Sequence, residues 1–133
     1  MEGLVCLDAS VLIGYFRNRN KKETFFPWLS LNCPGFVLPA IAHFEIYTGC
    51  TLQQKIFWDN LFADFLILPF TSSVSFEAVL IQKQLKTSGI NIEFKDLAIA
   101  ATAKSYGYPL ATLNERHFIN ISGLQLITPS PLL

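Results

Sequence analysis

Charge is scarce in this chain of 133 residues: 15% of positions are Asp, Glu, Lys or Arg, and ten acidic side chains balance ten basic ones. Such a chain has no global positive field of the kind that marks a nonspecific nucleic-acid binder, so any nucleic-acid contact rests on a local patch. Histidine is scarcer still, and two residues cannot build a zinc site alone. The three cysteines, Cys6, Cys33 and Cys50, are odd in number and show no CxxC spacing, and Cys6 and Cys50 sit in apolar stretches. That pattern points to reduced, buried thiols and to the cytoplasm.

Several motifs are also missing. The chain has no G-x-x-x-x-G-K-[ST], no G-x-G-x-x-G and no G-x-S-x-G, which removes nucleoside-triphosphate, dinucleotide and serine-hydrolase readings. It lacks the D-x-D spacing common in phosphoryl hydrolases of similar topology. The segment from Thr24 to Phe44 carries no formal charge, but Pro27, Asn32, Pro34, Gly35 and Pro39 interrupt it, so no membrane-spanning helix is expected. The opening "MEGLVCLDAS" places Glu2 where a signal peptide wants a basic residue. Repeats, low-complexity segments and linkers are absent too.

What the chain does have is core-forming residues, 51% hydrophobic and 14% aromatic. Its length suits a single domain over residues 1–133. "GLVCL" (3–7) reads as a buried strand and "ASVLIGYF" as a short helix behind it, with Asp8 at the junction. "RNRNKKETFFPWLSL" begins as a basic loop and continues as a helix, with Pro27 tolerated in the first turn. "PGFVLP" (34–39) is a second strand, with Pro39 in the first turn of a helix "AIAHFEIYTG" that Gly49 ends. A helix over about 52–63 follows, then a strand "FLILP" (65–69). Next comes a helix "TSSVSFEAVLIQKQLKTSG", capped by Thr71, Ser72 or Ser73 and closed by Gly89. A helix "FKDLAIAATAKSYG" and two short strands, "PLAT" and "LQLIT", complete the chain. This alternation predicts an α/β fold, a mostly parallel central sheet of four to five strands in three layers, with helices on both faces and ligands at the carboxyl ends of strands.

Asp8 directly follows a buried strand, so it stands either at that ligand-binding rim or at the N-cap of the next helix, with Ser10 helping. Glu45 falls by helical steps on the face of Ile41, Phe44 and Thr48, where a carboxylate needs a partner, a raised pKa or a cation. Asp96 opens a helix of small residues that can pack closely on the sheet; its alternative is a first-turn acid favoured by the helix dipole. Thr112 and Asn114 offer neutral oxygens at another strand end, although Thr112 with Glu115 also matches a capping box. Carboxylates and neutral oxygens without a His or Cys cluster suit Mg²⁺ or Mn²⁺, and hence a phosphodiester substrate. Arg17, Arg19, Lys21 and Lys22 form the one dense basic cluster, either a phosphate-backbone contact or a solvated loop. The stripe Phe57, Trp58, Leu61, Phe62 and Phe65 reads as core first and as a partner surface second.

In this order the segments "LDASVLIGYF", "HFEIYTG", "DLAIAATA" and "LATLNERHF" resemble the PIN-domain ribonucleases, above all the VapC-like toxins of bacterial toxin–antitoxin pairs. The resemblance runs nearly end to end, and "DASVLI" and "DLAIAATA" are its more specific pieces. It implies that Asp8, Glu45 and Asp96 are acidic metal-binding and catalytic residues, that Ser10 and Thr112 support them, and that Asn114 stands where many relatives carry a fourth acid. It further implies Mg²⁺- or Mn²⁺-dependent cleavage of RNA, a homodimer, and a cognate antitoxin covering the site. Asn114 and the high apolar content keep a second reading open, a PIN-like interaction module that has lost catalysis.

Overall fold

The computed structural model describes residues 3–129. Its centre is β1 (Val5–Leu7), three residues that are fully buried. A strand flanked on both sides and covered on both faces has no polar direction left, which is why it reads "VCL" without alternation. β1 is hydrogen-bonded in parallel to β2 (Phe36–Pro39) and to β4 (Leu110–Ala111). The register sets Val5 beside Phe36, Cys6 beside Val37 and Leu110, and Leu7 beside Ala111. With β3 (Leu66–Leu68) outside β2 and β5 (Leu126–Ile127) outside β4, the order is β3-β2-β1-β4-β5, all parallel. The expected α/β architecture is the observed one.

From β1 the chain moves outward twice in one direction, to β2 and then β3, before returning to the far side of β1 for β4 and β5. Because parallel crossovers are right-handed, this reversal puts the helices of the two halves on opposite faces. The first half supplies α1 (Ala9–Arg17), a 3₁₀ turn at Lys21–Glu23, α2 (Phe25–Asn32), α3 (Ala40–Thr48) and α4 (Leu52–Phe62). The second supplies α5 (Ser72–Thr87), α6 (Phe94–Tyr106) and the single turn α7 (Glu115–Phe118). The crevice between β1 and β4, where the strand order reverses, is where open α/β sheets bind their ligands.

The reasons for the helix boundaries are local. Pro27 sits in the first turn of α2, as expected, where a missing N–H costs nothing. Pro39 is the last strand residue and the N-cap of α3 instead of its first helical residue; its φ of −60° and ψ of 142° suit an extended end. Gly49 follows α3 but with φ of −101°, so that helix ends without a left-handed residue; Thr51 then starts α4 with a full capping box to Gln54. Thr71 is the cap of α5, accepting from Val74 N at 3.3 Å. Gly107 ends α6 in the left-handed region with φ of 80°.

The aromatic stripe of α4 is core: Trp58 and Phe62 are buried, stack at 5.5 Å, and join Phe16, Phe36 and Tyr47 through ring contacts along Phe57 and Phe65. α6 is buried over Asp96–Ala103, and its alanines allow it to lie between sheet and α5. Truncating Leu38, which has no exposure in β2, is expected to lower the unfolding free energy by about 2–5 kcal/mol in a urea titration. Leu31→Ala, at an 88% exposed position, should change it by less than about 0.5 kcal/mol. Equal losses at both sites would contradict this core.

Candidate active site

The sheet rim brings the predicted acids together. Asp8 and Thr112 follow β1 and β4, neighbouring parallel strands, so both side chains emerge at the same crevice, and both are buried. Asp8 holds the N-cap position of α1 without capping it through its side chain. Its Oδ2 instead accepts from Thr112 Oγ1 at 2.7 Å and from Ser10 Oγ at 2.8 Å. The hydroxyls in turn accept: Ser10 Oγ from Leu113 N at 3.1 Å, and Thr112 Oγ1 from Asn114 N at 2.9 Å. The capping-box reading of Thr112 therefore fails, because the N-cap residue of α7 is Asn114, which makes no side-chain cap, and the Thr112 hydroxyl accepts from Asn114 N while donating to Asp8 across the sheet. Asn114 lines the same cleft as Asp8.

Glu45 reaches the cleft from α3. Its predicted face is only partly right, since Phe44 is 63% exposed while Ala42 and Ile46 carry the buried side of α3. Glu45 lies between them and solvent, its Oε2 at 3.4 Å from Lys95 Nζ and its buried Oε1 without a hydrogen-bond partner. Burial pushes its carboxyl above the usual carboxylate range, Lys95 pulls it part of the way back, and the charges of Asp8 and Asp96 push it up again. Asp96, buried in the first turn of α6, meets His117 Nδ1 at 3.0 Å from α7. Burial also raises its pKa, against the pull of a protonated His117, with Asp8 adding repulsion. Lys95 is raised, first of all by Glu45 beside it.

Asp8, Ser10, Glu45, Asp96 and Asn114 thus line one open cleft of about 330 Å³, together with Lys95 and His117. Sequence reading missed Lys95 and His117. Lys95 had a signal, its place next to Asp96; His117 had none, because its pairing joins helices separated by the whole of β4. Of the basic cluster, Lys21 is committed elsewhere: its ammonium donates to the carbonyls of Tyr15, Phe16 and Asn18 at 2.7–3.2 Å and locks the end of α1. Arg17, Arg19 and Lys22 are exposed.

The donor set is all oxygen, with one orphaned carboxylate oxygen and two acids raised first by burial and further by neighbouring carboxylates, and this chemistry fits a hard divalent cation. Among the described residues no three His, Cys, Asp or Glu already form a metal cage, and two of the three acids are engaged within the fold, Glu45 by the Lys95 ammonium and Asp96 by the His117 imidazole.

Comparisons with known proteins identify the family. A model of the PIN domain family matches residues 5–124. The chain belongs to the PIN-domain family, in its VapC-like branch. It is 30% identical over 117 residues to Ribonuclease VapC1 of Methanocaldococcus jannaschii, covering 88% of this chain and 80% of that one. It is 41% identical over 66 residues to Ribonuclease VapC1 of Rickettsia felis, about half of each chain. Among solved structures, FitAcB from Neisseria gonorrhoeae superposes with a TM-score of 0.78 at 26% identity, over 93% of this chain and 96% of that one. DNA-bound VapBC from Salmonella typhimurium reaches 0.81 at 21%, over 95% and 98%, a likeness of fold.

Two substitutions report on this geometry. Thr112→Val keeps the shape but removes a buried donor from Asp8 and an acceptor from Asn114 N; it is expected to cost about 1–3 kcal/mol of stability, and a parent-like denaturation midpoint would refute the bond. Glu45→Gln should raise the melting temperature at neutral pH. A carboxyl raised in the folded state contributes stability below its ordinary value of 4.5 and loses it as pH climbs through the raised value. The advantage of the Gln variant should therefore vanish near pH 4, and an equal advantage at every pH would contradict it.

Proposed function

We propose that this chain is a metal-dependent endoribonuclease, the toxin of a toxin–antitoxin pair. The observation that carries the reading is the meeting of Asp8, Glu45 and Asp96 in one cleft at the strand-order reversal, from three separate elements. Its support from relatives is that the match over 88% of this chain is named a ribonuclease of the VapC type, and the fold neighbours include VapBC complexes. Asp8, Glu45 and Asp96 would hold Mg²⁺ or Mn²⁺, which supplies a water of lowered pKa and offsets charge on the phosphodiester.

The chain's own residues do the rest. Ser10 and Thr112 fix the orientation of Asp8 by two bonds to one oxygen, leaving it no freedom to turn away. Glu45 keeps an unshared oxygen in a partly dry position, where its charge interacts strongly. Lys95 and His117 balance the acids when no cation does and stand ready to pair with phosphate oxygens. Asn114 contributes a neutral amide at the place of a fourth acid, which lowers the charge available to a second cation.

The partners follow from the same reading: RNA as substrate, a cognate antitoxin, and a second copy of the chain, supported by the exposed Phe76, Val79 and Leu80 along one side of α5. No described helix is long and apolar enough to cross a membrane, and thiols at Cys6, Cys33 and Cys50 suit the cytoplasm.

Purified protein is expected to cut a mixed RNA pool with Mn²⁺ or Mg²⁺ and to stop in EDTA, and Asp8→Asn and Asp96→Asn should each slow cutting by at least about 100-fold. In a second readout, Mn²⁺ at a hundred times its Kd should stabilise the parent by about 2.7 kcal/mol and leave Asp96→Asn nearly unmoved. Metal-independent stability together with no cutting would favour the interaction module instead.

A further inference from the structure

The acid cleft is the middle of a longer groove. On one side it shares Ile13 and Glu45 with a hollow beside Arg17; on the other it shares Glu93, Asp96 and His117 with a pocket of about 250 Å³ between the α5–α6 connection and α7. Arg17 and Arg116 therefore stand at opposite ends, both exposed and neither with an ion-pair partner among the described residues. Between them, Lys95 is engaged by Glu45 and the His117 imidazole by Asp96.

The pocket at the Arg116 end has a distinct chemistry. Leu85, Ile90 and Ile92 make an apolar floor, and Asn91 and Asn120 stand at the rim. An apolar surface to lie against, a guanidinium or imidazole plane beside it and amides to hydrogen-bond an edge suit an unstacked nucleobase. The wall is braced, because Gln84 of α5 donates through Nε2 to Asn120 O at 2.9 Å and accepts through Oε1 from Ser122 N at 3.2 Å. A pocket held in this way keeps its shape without a ligand and costs little ordering on binding.

A phosphate strand crossing an acid-rich centre needs cations on either side of it. Resting on the ribonuclease reading above, we propose that single-stranded RNA lies along this groove, with Arg17 and Arg116 each holding a backbone phosphate on opposite sides of the acids. The nucleotide beside Arg116 places its base in the pocket, where Asn91 and Asn120 read its edge. Guanidinium groups suit the role because their fork matches phosphate oxygens. The arginines position the strand, and the asparagines set which base is accepted next to the cut.

The test separates binding from cutting. A labelled mixed-sequence single-stranded RNA is titrated in EDTA, over a range of salt, against the parent, Arg17→Gln, Arg116→Gln and the double variant Asn91→Ala with Asn120→Ala, all first checked for parent-like melting. Each Arg→Gln change is expected to weaken binding about tenfold and to lower the log–log salt slope by about 0.7, the loss of one phosphate contact on a single strand. The asparagine variant should keep the slope and, with Mn²⁺, lose base preference at one position beside the cleaved bond. Parent-like affinity and slope in Arg116→Gln, no RNA binding by the parent, or an unchanged cleavage preference in the asparagine variant would overturn the groove. Arginine-dependent binding without cutting in Mn²⁺ would instead overturn the ribonuclease reading and uphold the groove.

Discussion

One carboxylate oxygen ties the two halves of the sheet together. Asp8 Oδ2 receives the hydroxyls of Thr112, from the end of β4, and of Ser10, from the first turn of α1. A buried acid without such donors costs several kcal/mol, so Asp8 is tolerable only where β1 and β4 run side by side and end together. The same requirement fixes the short polar segment after β4, because Thr112 must also accept from Asn114 N and Ser10 from Leu113 N. Everything else in the cleft hangs on that junction: α1 departs from it, α7 follows it, and α7 carries His117 to Asp96.

The cleft is electrostatically unsettled by construction. Burial first, and then repulsion from neighbouring carboxylates, raises Glu45 and Asp96, and each of the two is met by a nitrogen from within the fold, Lys95 Nζ and His117 Nδ1. Burial and repulsion both act to raise these acids, and either a proton or a metal ion relieves them. Lys95 is half exposed and His117 nearly so, so both can leave their acids at small cost, whereas the acids on β1 and α6 are fixed by buried backbone. A cation entering the cleft competes with mobile partners for immobile ligands. That asymmetry separates a site poised for a ligand from a structural ion-pair network, in which both partners are anchored.

Much of this was legible in the sequence, for reasons that differ from residue to residue. "VCL" followed by Asp8 is readable because a central parallel strand permits no polar position, so the first carboxylate marks its end. Asp96 was readable because a helix of alanines can pack closely on the sheet, and close packing buries its first acid. The face assigned to Glu45 was only partly right, because α3 lies at the rim: Ile41 packs on the core while Phe44 is exposed. The role of Thr112 was ambiguous because T-x-x-E spacing fits a local cap and a cross-sheet bond equally well; only the register of β1 against β4 decides. Lys21 looked like a phosphate contact because sequence cannot see that the end of α1 exposes carbonyls within reach of its ammonium. The pairing of His117 with Asp96 was invisible, since it depends on how α7 packs against α6.

A neutral chain that handles a polyanion has to arrange its charges instead of accumulating them. Here the acids converge on one crevice while Arg17 and Arg116 stand clear of them, and Lys55 and Lys104 are paired with Asp59 and Glu77 away from the crevice. Screening limits exposed charges to a range of about 8–10 Å at ordinary ionic strength, so distant lysines cannot draw a strand into the cleft and the two groove arginines can. The zero net charge therefore has a structural meaning: acids gathered in one crevice with exposed arginines lining the adjoining hollows take the place of a general attraction for nucleic acid.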